Sequence, residues 1–377
     1  MRSPVFSLLL LLALTSCTSS RSPEDSPFQD LFRPEGIYHV GLNPNYLVVS
    51  DLNRDGQLDL VTSNTNSNNI SVLLGNKDGT FKDHLLFPVG KRPRGIAVGD
   101  FNGDQIPDIA VTNNETDDVT ILIGRGDGTF IEGEPIKLDQ RSPLFVSAGD
   151  YNQDGKTDLL ILSRFDHLIL YLGNGDGTFR FYKVFNADDT PTALVTGDFN
   201  RDQKLDLAVA NNGPMKSGLQ IFLGDGQGNF TAGFKYEARN YRPLAVAAGD
   251  LNNDGKTDLV TVDPIHHNVT LFLGNGDGTF KALEPISGDS EPISILTGDL
   301  NGDHRLDLAF VNYASNTLMI LYGNGDGTFK SPPVRYRTRR NPFAVAQGDF
   351  NHDGTTDLAV ASHADSSVTI YLARPAK

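Results

Sequence analysis

Oxygen-bearing side chains recur in a fixed pattern along this chain of 377 residues. The pattern D-x-N-x-D-x-x-x-D occurs seven times. In a tight loop, side chains at positions 1, 3 and 5 converge on one point, position 7 can add a backbone carbonyl, and position 9 closes the cage. Calcium accepts roughly six to eight such oxygens in irregular geometry. The pattern therefore predicts up to seven structural Ca²⁺ sites.

All 28 predicted ligand positions hold the expected residue type. They are Asp51, Asn53, Asp55, Asp59; Asp100, Asn102, Asp104, Asp108; Asp150, Asn152, Asp154, Asp158; Asp198, Asn200, Asp202, Asp206; Asp250, Asn252, Asp254, Asp258; Asp299, Asn301, Asp303, Asp307; and Asp349, Asn351, Asp353, Asp357. The set contains no Cys or His, which argues against zinc. Magnesium is disfavoured because it demands near-octahedral geometry and keeps its waters.

Position 6 divides the loops into two groups. Four loops have glycine there, and the other three have Gln105, Gln203 and His304. We expect a positive φ at this position, which costs a residue with a side chain about 1 kcal/mol. The alternative for every loop is an acidic hairpin that binds no metal. This alternative is stronger for the three loops that lack glycine at position 6.

The charge balance agrees with bound cations. The net charge is −15, which argues against a nucleic-acid partner because a phosphate backbone requires a basic face. The loops hold 21 of the 47 acidic residues, so seven calcium ions would reduce the net charge to −1. At ten times the dissociation constant each site adds about 1.4 kcal/mol, and seven add roughly 10 kcal/mol. That sum rivals the stability of a whole domain, which indicates a structural metal.

The acidic loops mark a longer repeat, because their first aspartates are 49, 50, 48, 52, 49 and 50 residues apart. One repeat predicts strand A at 244–248, strand B at 257–262 and strand C at 269–273, and a glycine-rich turn then leads into strand D at Phe280. Four short antiparallel strands with turns about every ten residues are typical of a propeller blade. The sequence therefore predicts an all-β, seven-bladed β-propeller.

The two ends of the repeat array complement each other. The last repeat stops at Tyr371-Leu372, after strand C, and lacks a strand D. A spare apolar segment, 37–40, precedes the first repeat. We expect this N-terminal strand to complete the seventh blade and close the ring, which removes an open sheet edge. An open solenoid is the alternative.

These repeats resemble the FG-GAP/VCBS family, which includes the calcium-loop propeller of integrin α chains. The match rests on segments such as Ala97-Val98-Gly99-Asp100-Phe101-Asn102 and Asp108-Ile109-Ala110-Val111, and it covers about residues 36–377. The resemblance implies a propeller with metal-binding loops. In such families the propeller serves as an adhesion or carbohydrate-binding module, and sometimes as the body of a polysaccharide lyase.

The N-terminus has the features of an export signal. Arg2 precedes the short apolar run 5–14, and Leu14-Thr15-Ser16-Cys17 resembles a bacterial lipobox, whose cysteine is acylated. The sequence thus predicts a signal peptide (1–16), a lipidated Cys17 with a flexible tether (17–35), and a propeller domain (36–377). Thr18 is compatible with sorting to the outer membrane, on its periplasmic or cell-surface side. An ordinary signal peptide with a chance cysteine is the alternative.

Strand alternation places the A–B and C–D loops on one face and the D–A and B–C loops on the other, here named the basic face. Its predicted ligand-binding residues are Arg92, Arg94, Arg141, Arg164, Arg242 and Arg340. Lys91, Arg339, His167, Lys216, His266, His267, Tyr313 and His363 lie on the same loops. We expect charge segregation, with this face binding an acidic polysaccharide or another envelope component.

These features favour a non-catalytic, calcium-stabilised binding or adhesion module held at the membrane by its lipid. A polysaccharide lyase or hydrolase is the first alternative, with a general base drawn from the basic-face histidines, near Arg164 and Tyr313. A scaffold of an envelope protein assembly is the second.

Overall fold

The computed structural model describes residues 31–139, 141–165, 167–213, 216–237 and 241–374. These residues form thirty strands in seven separate sheets, each a blade of antiparallel strands. The predicted seven-bladed β-propeller is confirmed. The predicted signal peptide, Cys17 and the first part of the tether lie outside the described residues. No helix in the described ranges is long and apolar enough to cross a membrane.

The first strand in the chain is β1 (Phe32–His39). Blade 1 contains β2 (Pro44–Ser50), β3 (Asp59–Asn64), β4 (Asn69–Leu73) and β5 (Leu85–Pro88). Blade 2 contains β6 (Pro93–Gly99), β7 (Asp108–Asn113), β8 (Asp118–Gly124), β9 (Phe130–Glu132) and β10 (Ile136–Lys137). Blade 3 contains β11 (Pro143–Gly149), β12 (Asp158–Ser163), β13 (His167–Gly173) and β14 (Phe179–Asn186).

Blade 4 contains β15 (Pro191–Gly197), β16 (Asp206–Asn212), β17 (Ser217–Gly224) and β18 (Phe230–Tyr236). Blade 5 contains β19 (Ala245–Gly249), β20 (Asp258–Asp263), β21 (Asn268–Gly274), β22 (Phe280–Ala282) and β23 (Ile286–Ser287). Blade 6 contains β24 (Pro292–Gly298), β25 (Asp307–Asn312), β26 (Thr317–Leu321) and β27 (Val334–Arg337). Blade 7 contains β28 (Pro342–Gly348), β29 (Asp357–Ser362), β30 (Ser367–Ala373) and β1.

The core of the molecule lies between the blades. The second strand of each blade is buried on both faces, as in β3 and β29, which explains its continuous apolar run. Seven hydrophobic clusters follow, and each joins side chains from two neighbouring blades. The repeat is therefore not a self-sufficient domain, because half of each core belongs to the next blade.

The ring closes as the sequence predicts. β1 pairs antiparallel with β30 from Phe32↔Ala373 to His39↔Ser367, and so supplies the fourth strand of blade 7. The first strands of successive blades contact one another around the centre, and β2 also contacts β28 across the junction of the chain ends. β1 begins at Phe32, four residues before the predicted start of the propeller at residue 36. Phe32 is 3% exposed, because it packs in the cluster between blades 6 and 7.

Candidate functional site

Each acidic A–B loop is shaped by hydrogen bonds to its own carboxylates. In loop 1, Gly56 N–H donates to Asp51 Oδ2 at 2.9 Å and Asp55 N–H donates to Asp51 Oδ1 at 3.2 Å. The N–H of residue 6 makes the same bond to position 1 in every loop. In each of the seven loops, the residues predicted at positions 1, 3 and 5 therefore lie in one tight turn.

Position 9 performs a second task that the sequence reasoning missed. Asp59 Oδ2 accepts a hydrogen bond from Leu52 N–H at 2.9 Å, and its Oδ1 accepts one from Gly75 N–H at 2.8 Å. All seven position-9 aspartates are 0% exposed and accept the equivalent pair of bonds. This residue therefore joins the acidic loop to the end of strand C in the same blade.

Electrostatics at position 9 reflect the crowding of carboxylates. Burial raises the pKa of Asp59 to about 6; the two N–H donors oppose the shift, and the charges of Asp55 and Asp51 add to it. The same causes raise the pKa of Asp307 to about 7. Positions 1, 5 and 9 of a loop thus interact across the loop, and a divalent cation there would offset their repulsion.

The donor set fits calcium, because carboxylate and amide oxygens are its preferred ligands. Among the described residues, however, no group of three or more Asp, Glu, His or Cys side chains is arranged around a common metal position. In loop 1 the Asn53 Nδ2 donates to Asp55 Oδ2 at 3.0 Å, and three other loops share this contact. Metal binding requires this hydrogen bond to be exchanged for coordination, so calcium remains a prediction.

Backbone strain in the loops falls on two positions. Residue 6 has positive φ, as predicted, including Gln105, Gln203 and His304 at 65°, 65° and 61°. Residue 4 also has positive φ in every loop, and two of these three loops carry glycine there. Loop 4 is the exception, with Arg201 at 63° and Gln203 at 65° and no glycine at either position. It is therefore the most strained of the seven loops.

The acidic loops also connect one blade to the next. Gly177 N–H, in the C–D turn of blade 3, donates to Phe101 O of loop 2 at 2.9 Å. Phe101, at position 2 of that loop, is 1% exposed and meets Phe179 edge-on at 5.4 Å between ring centroids. A large apolar residue occupies position 2 in all seven loops: Leu52, Phe101, Tyr151, Phe199, Leu251, Leu300 and Phe350. This repeated signal could have revealed the inter-blade contact from sequence.

The opposite face gathers the predicted ligand-binding arginines on the D–A and B–C loops, but acidic residues lie there too. Arg340 forms an ion pair with Asp365 at 2.8 Å, and Lys137 forms one with Asp118 at 2.6 Å. Strict charge segregation is therefore wrong, because these loops carry their own counterions. The other five predicted arginines form no ion pair with any described residue. They are Arg92, Arg94, Arg141, Arg164 and Arg242.

A cavity of about 490 Å³ opens at the centre of the basic face. The residue after the repeat proline lines it in every blade: Asn45, Arg94, Leu144, Thr192, Leu244, Ile293 and Phe343. Arg164 also lines it, and the described lining includes no acidic residue. Two of the predicted arginines therefore converge on the central channel, whereas Arg340 lies against Asp365.

Two candidate bases of the enzymatic alternative, His266 and His363, are engaged in local contacts. His266 Nδ1 lies 2.8 Å from Asp263 Oδ2, a local contact three residues away. Asn43 Nδ2 lies 3.3 Å from His363 Nδ1, and because an amide NH₂ can only donate, Nδ1 accepts this bond. Burial, and after it the charge of Arg94, lower the pKa of His363. Nδ1 of His363 is therefore occupied by a local contact with Asn43.

Sequence comparison identifies the family. The FG-GAP-like repeat model matches residues 51–111, 100–161, 150–209, 198–261, 250–310 and 299–360. These matches span most of the chain, so it belongs to the FG-GAP-like repeat family, and the resemblance to that family is confirmed. No curated protein matches the chain at a significant level.

Solved structures share the fold at low identity. BBS1N in a complex with ARL6DN, soaked with lead, matches with a TM-score of 0.68 and 10% identity, over 93% of this chain and 99% of that chain. A protein from Lactobacillus plantarum matches with a TM-score of 0.61 and 16% identity, over 81% and 88%. Raptor from Chaetomium thermophilum matches with a TM-score of 0.60 and 11% identity, over 92% of this chain and 29% of Raptor. At these identities the likeness concerns the fold alone.

The two roles of the loop aspartates are separable by mutation. Asp59→Ala leaves two buried N–H groups without an acceptor and should destabilise the protein by about 2–5 kcal/mol, with or without calcium. Asp55→Ala removes an exposed carboxylate and should cost about 1 kcal/mol or less in chelator, while abolishing the calcium-dependent stabilisation of loop 1. Urea unfolding of both variants in calcium and in EDTA measures this; equal losses in both variants and both buffers would contradict it.

Loop 4 offers a test of the strain argument. Gln203→Gly should stabilise the protein by about 1 kcal/mol, because glycine adopts positive φ without a steric cost. Gly155→Gln, at the same position of loop 3, should cost a similar amount, since a Cβ there has no atom within 4 Å and only φ is penalised. Thermal unfolding of the two variants provides the comparison, and a destabilised Gln203→Gly protein would refute the strain assignment.

Proposed function

We propose that this FG-GAP-like propeller is a non-catalytic binding module of the bacterial cell envelope, lipid-anchored and stabilised by calcium. Its basic face binds an anionic partner, either an acidic polysaccharide or an envelope protein. The observation that carries the proposal is the set of five arginines on that face without an ion-pair partner in the described residues. Uncompensated cations on one face attract anionic ligands and speed their association.

The aspartates on the basic face make contacts with nearby residues, which supports the proposal that the five arginines are free to bind an anionic partner. Asp118, Asp289 and Asp365 form ion pairs with Lys137, Arg335 and Arg340. Asp263, which is 1% exposed, accepts the N–H of Arg242 at 2.7 Å. These carboxylates are held by local contacts, so they are poorly placed to neutralise the arginines nearer the channel.

The anchor and the location rest on the sequence alone. Arg2, the apolar run 5–14 and Cys17 supply a lipobox-type signal, and Thr18 is compatible with sorting to the outer membrane. The described chain starts at Leu31 and continues into β1 of blade 7, so an anchor at Cys17 would be tethered to the blade that closes the ring. A lipid at this end would hold the propeller at the membrane through blade 7.

Fold neighbours support a protein partner as readily as a saccharide. The BBS1N propeller was solved in a complex with ARL6DN, so a propeller of this architecture binds another protein in that case. The FG-GAP propeller fold fits a binding or scaffold module. We extend that role to this chain, with the basic face as the surface that meets the partner.

Charge reversal tests the proposed function. Replacing Arg92, Arg141 and Arg242 with Glu should weaken binding to polygalacturonate or to a co-purifying envelope protein by about 100-fold, because three attractive charges become repulsive. Reversing Arg180, Lys281 and Arg337, on outermost strands, changes the net charge equally and should have little effect. Affinity is measured by titration calorimetry in millimolar calcium.

The same titrations separate the alternatives. Saturable binding without turnover supports the module, and equal loss of affinity in both triple variants would refute a face-specific site. Release of unsaturated uronate products by the wild-type chain would establish the lyase instead. Binding confined to envelope proteins would identify the scaffold.

A further inference from the structure

The central channel breaks the sevenfold repetition at one point. Its seven-residue ring, formed by the residue after each repeat proline, contains Leu144, Leu244, Ile293 and Phe343 together with two neutral polar residues. Arg94 is the one charged member of this described ring. No structural need of the repeat requires arginine there, because the other six blades are built without it. The difference therefore points to a role specific to blade 2.

Arg94 stands in an unfavourable environment for a cation. It is partly buried, and its Nε is shielded from solvent and has no hydrogen-bond partner among the described residues. Burial, followed by the nearby charges of Arg92 and Arg164, lowers its pKa. A desolvated cation beside two others and without an anion destabilises the isolated protein. Such a cost is typical of a binding site whose ligand supplies the missing charge.

The walls of the ring restrict the chemistry of that ligand. Four of the seven ring residues are apolar and offer no hydrogen bond, and only Asn45 and Thr192 are neutral polar members of the described ring, so a sugar residue at this level would find few partners for its hydroxyl groups. A carboxylate on an apolar body meets both requirements, because its head pairs with the guanidinium and its side chain covers the apolar wall. The central position of the cavity also favours the end of a chain over its middle.

We propose that Arg94 and Arg164 bind the C-terminal carboxylate of a partner polypeptide whose last residue is apolar. Arg94 supplies the recessed guanidinium at the channel ring, and Arg164 supplies a second cation from the B–C loop of blade 3. This proposal rests on the proposed function, in which the basic face binds an anionic partner, and it assigns the subsite and the chemical group recognised there.

Binding of short peptides tests the assignment. The probes are fluorescein-labelled pentapeptides ending in Leu, Ile or Phe, each made with a free C-terminal carboxylate and as the C-terminal amide. The protein is the full chain in detergent and millimolar calcium, and the readout is fluorescence anisotropy. We expect at least one free-carboxylate peptide to bind at least about tenfold more tightly than its amide. Arg94→Gln should remove that preference, whereas Arg180→Gln, on an outer strand, should preserve it.

The melting temperature of the free protein distinguishes a binding role of Arg94 from a structural role. Arg94→Met should raise the melting temperature of the free protein, because it removes an uncompensated, partly buried charge while it abolishes the carboxylate preference. A lower melting temperature would show that Arg94 serves the fold and would overturn the proposal. Equal affinity for acid and amide, or no binding of any peptide, would also overturn it.

The outcome is distinguishable from failure of the proposed function. Trigalacturonate serves as the competing probe in the same assay. If it binds in an Arg94-dependent manner and the peptides do not, the polypeptide assignment is wrong and the anionic face stands. If reversal of Arg92, Arg141 and Arg242 abolishes polygalacturonate binding while Arg94→Gln changes nothing, the subsite is wrong and the proposed function stands. If no anionic probe binds, both fail.

Discussion

The buried aspartate that begins strand B of every blade is the contact on which the architecture depends. Its two oxygens accept hydrogen bonds from the second residue of the acidic loop and from a residue at or just after the end of strand C, as Asp59 does from Leu52 and Gly75. The residue at position 2 is thereby presented to the next blade, where it packs against the C–D turn. Each acidic loop lies at the surface and is also a joint between two blades. A cation in the loop would stabilise that joint by balancing the carboxylates that surround it.

The residues that repeat and the residues of the proposed binding surface are different in this molecule. Residues that recur in all seven repeats, such as the loop aspartates and the apolar position 2, serve folding and ring closure. The channel ring differs from blade to blade, and there a single arginine replaces neutral side chains. We therefore propose that departures from the repeat mark the surface where specificity resides, whereas the acidic loops join the blades that carry it.

Much of the fold was predictable because the repeat exposes its periodicity directly. The seven blades and closure by the N-terminal strand follow from spacing and from the unequal chain ends, and β1 confirms the closure. The predicted strands of blade 5 lie within one residue of β19, β20 and β21. The charge pattern was less predictable, because pairs such as Arg340 with Asp365 join residues 25 positions apart. The absence of an ion-pair partner for Arg94 among the described residues likewise depends on which side chains the ring brings together. The spacing of residues along the sequence does not predict it.

Thermal unfolding of the chain in millimolar calcium and in excess EDTA tests the central claim that metal-bound loops hold the blades together. Seven structural sites should add roughly 10 kcal/mol, so we expect EDTA to lower the melting temperature by tens of degrees, on the order of 20 °C. A fall of this size, reversed by added calcium and not by magnesium, would establish the loops as calcium-dependent joints. An unchanged melting temperature would contradict the account, because the hydrogen bonds of position 9 would then suffice without metal.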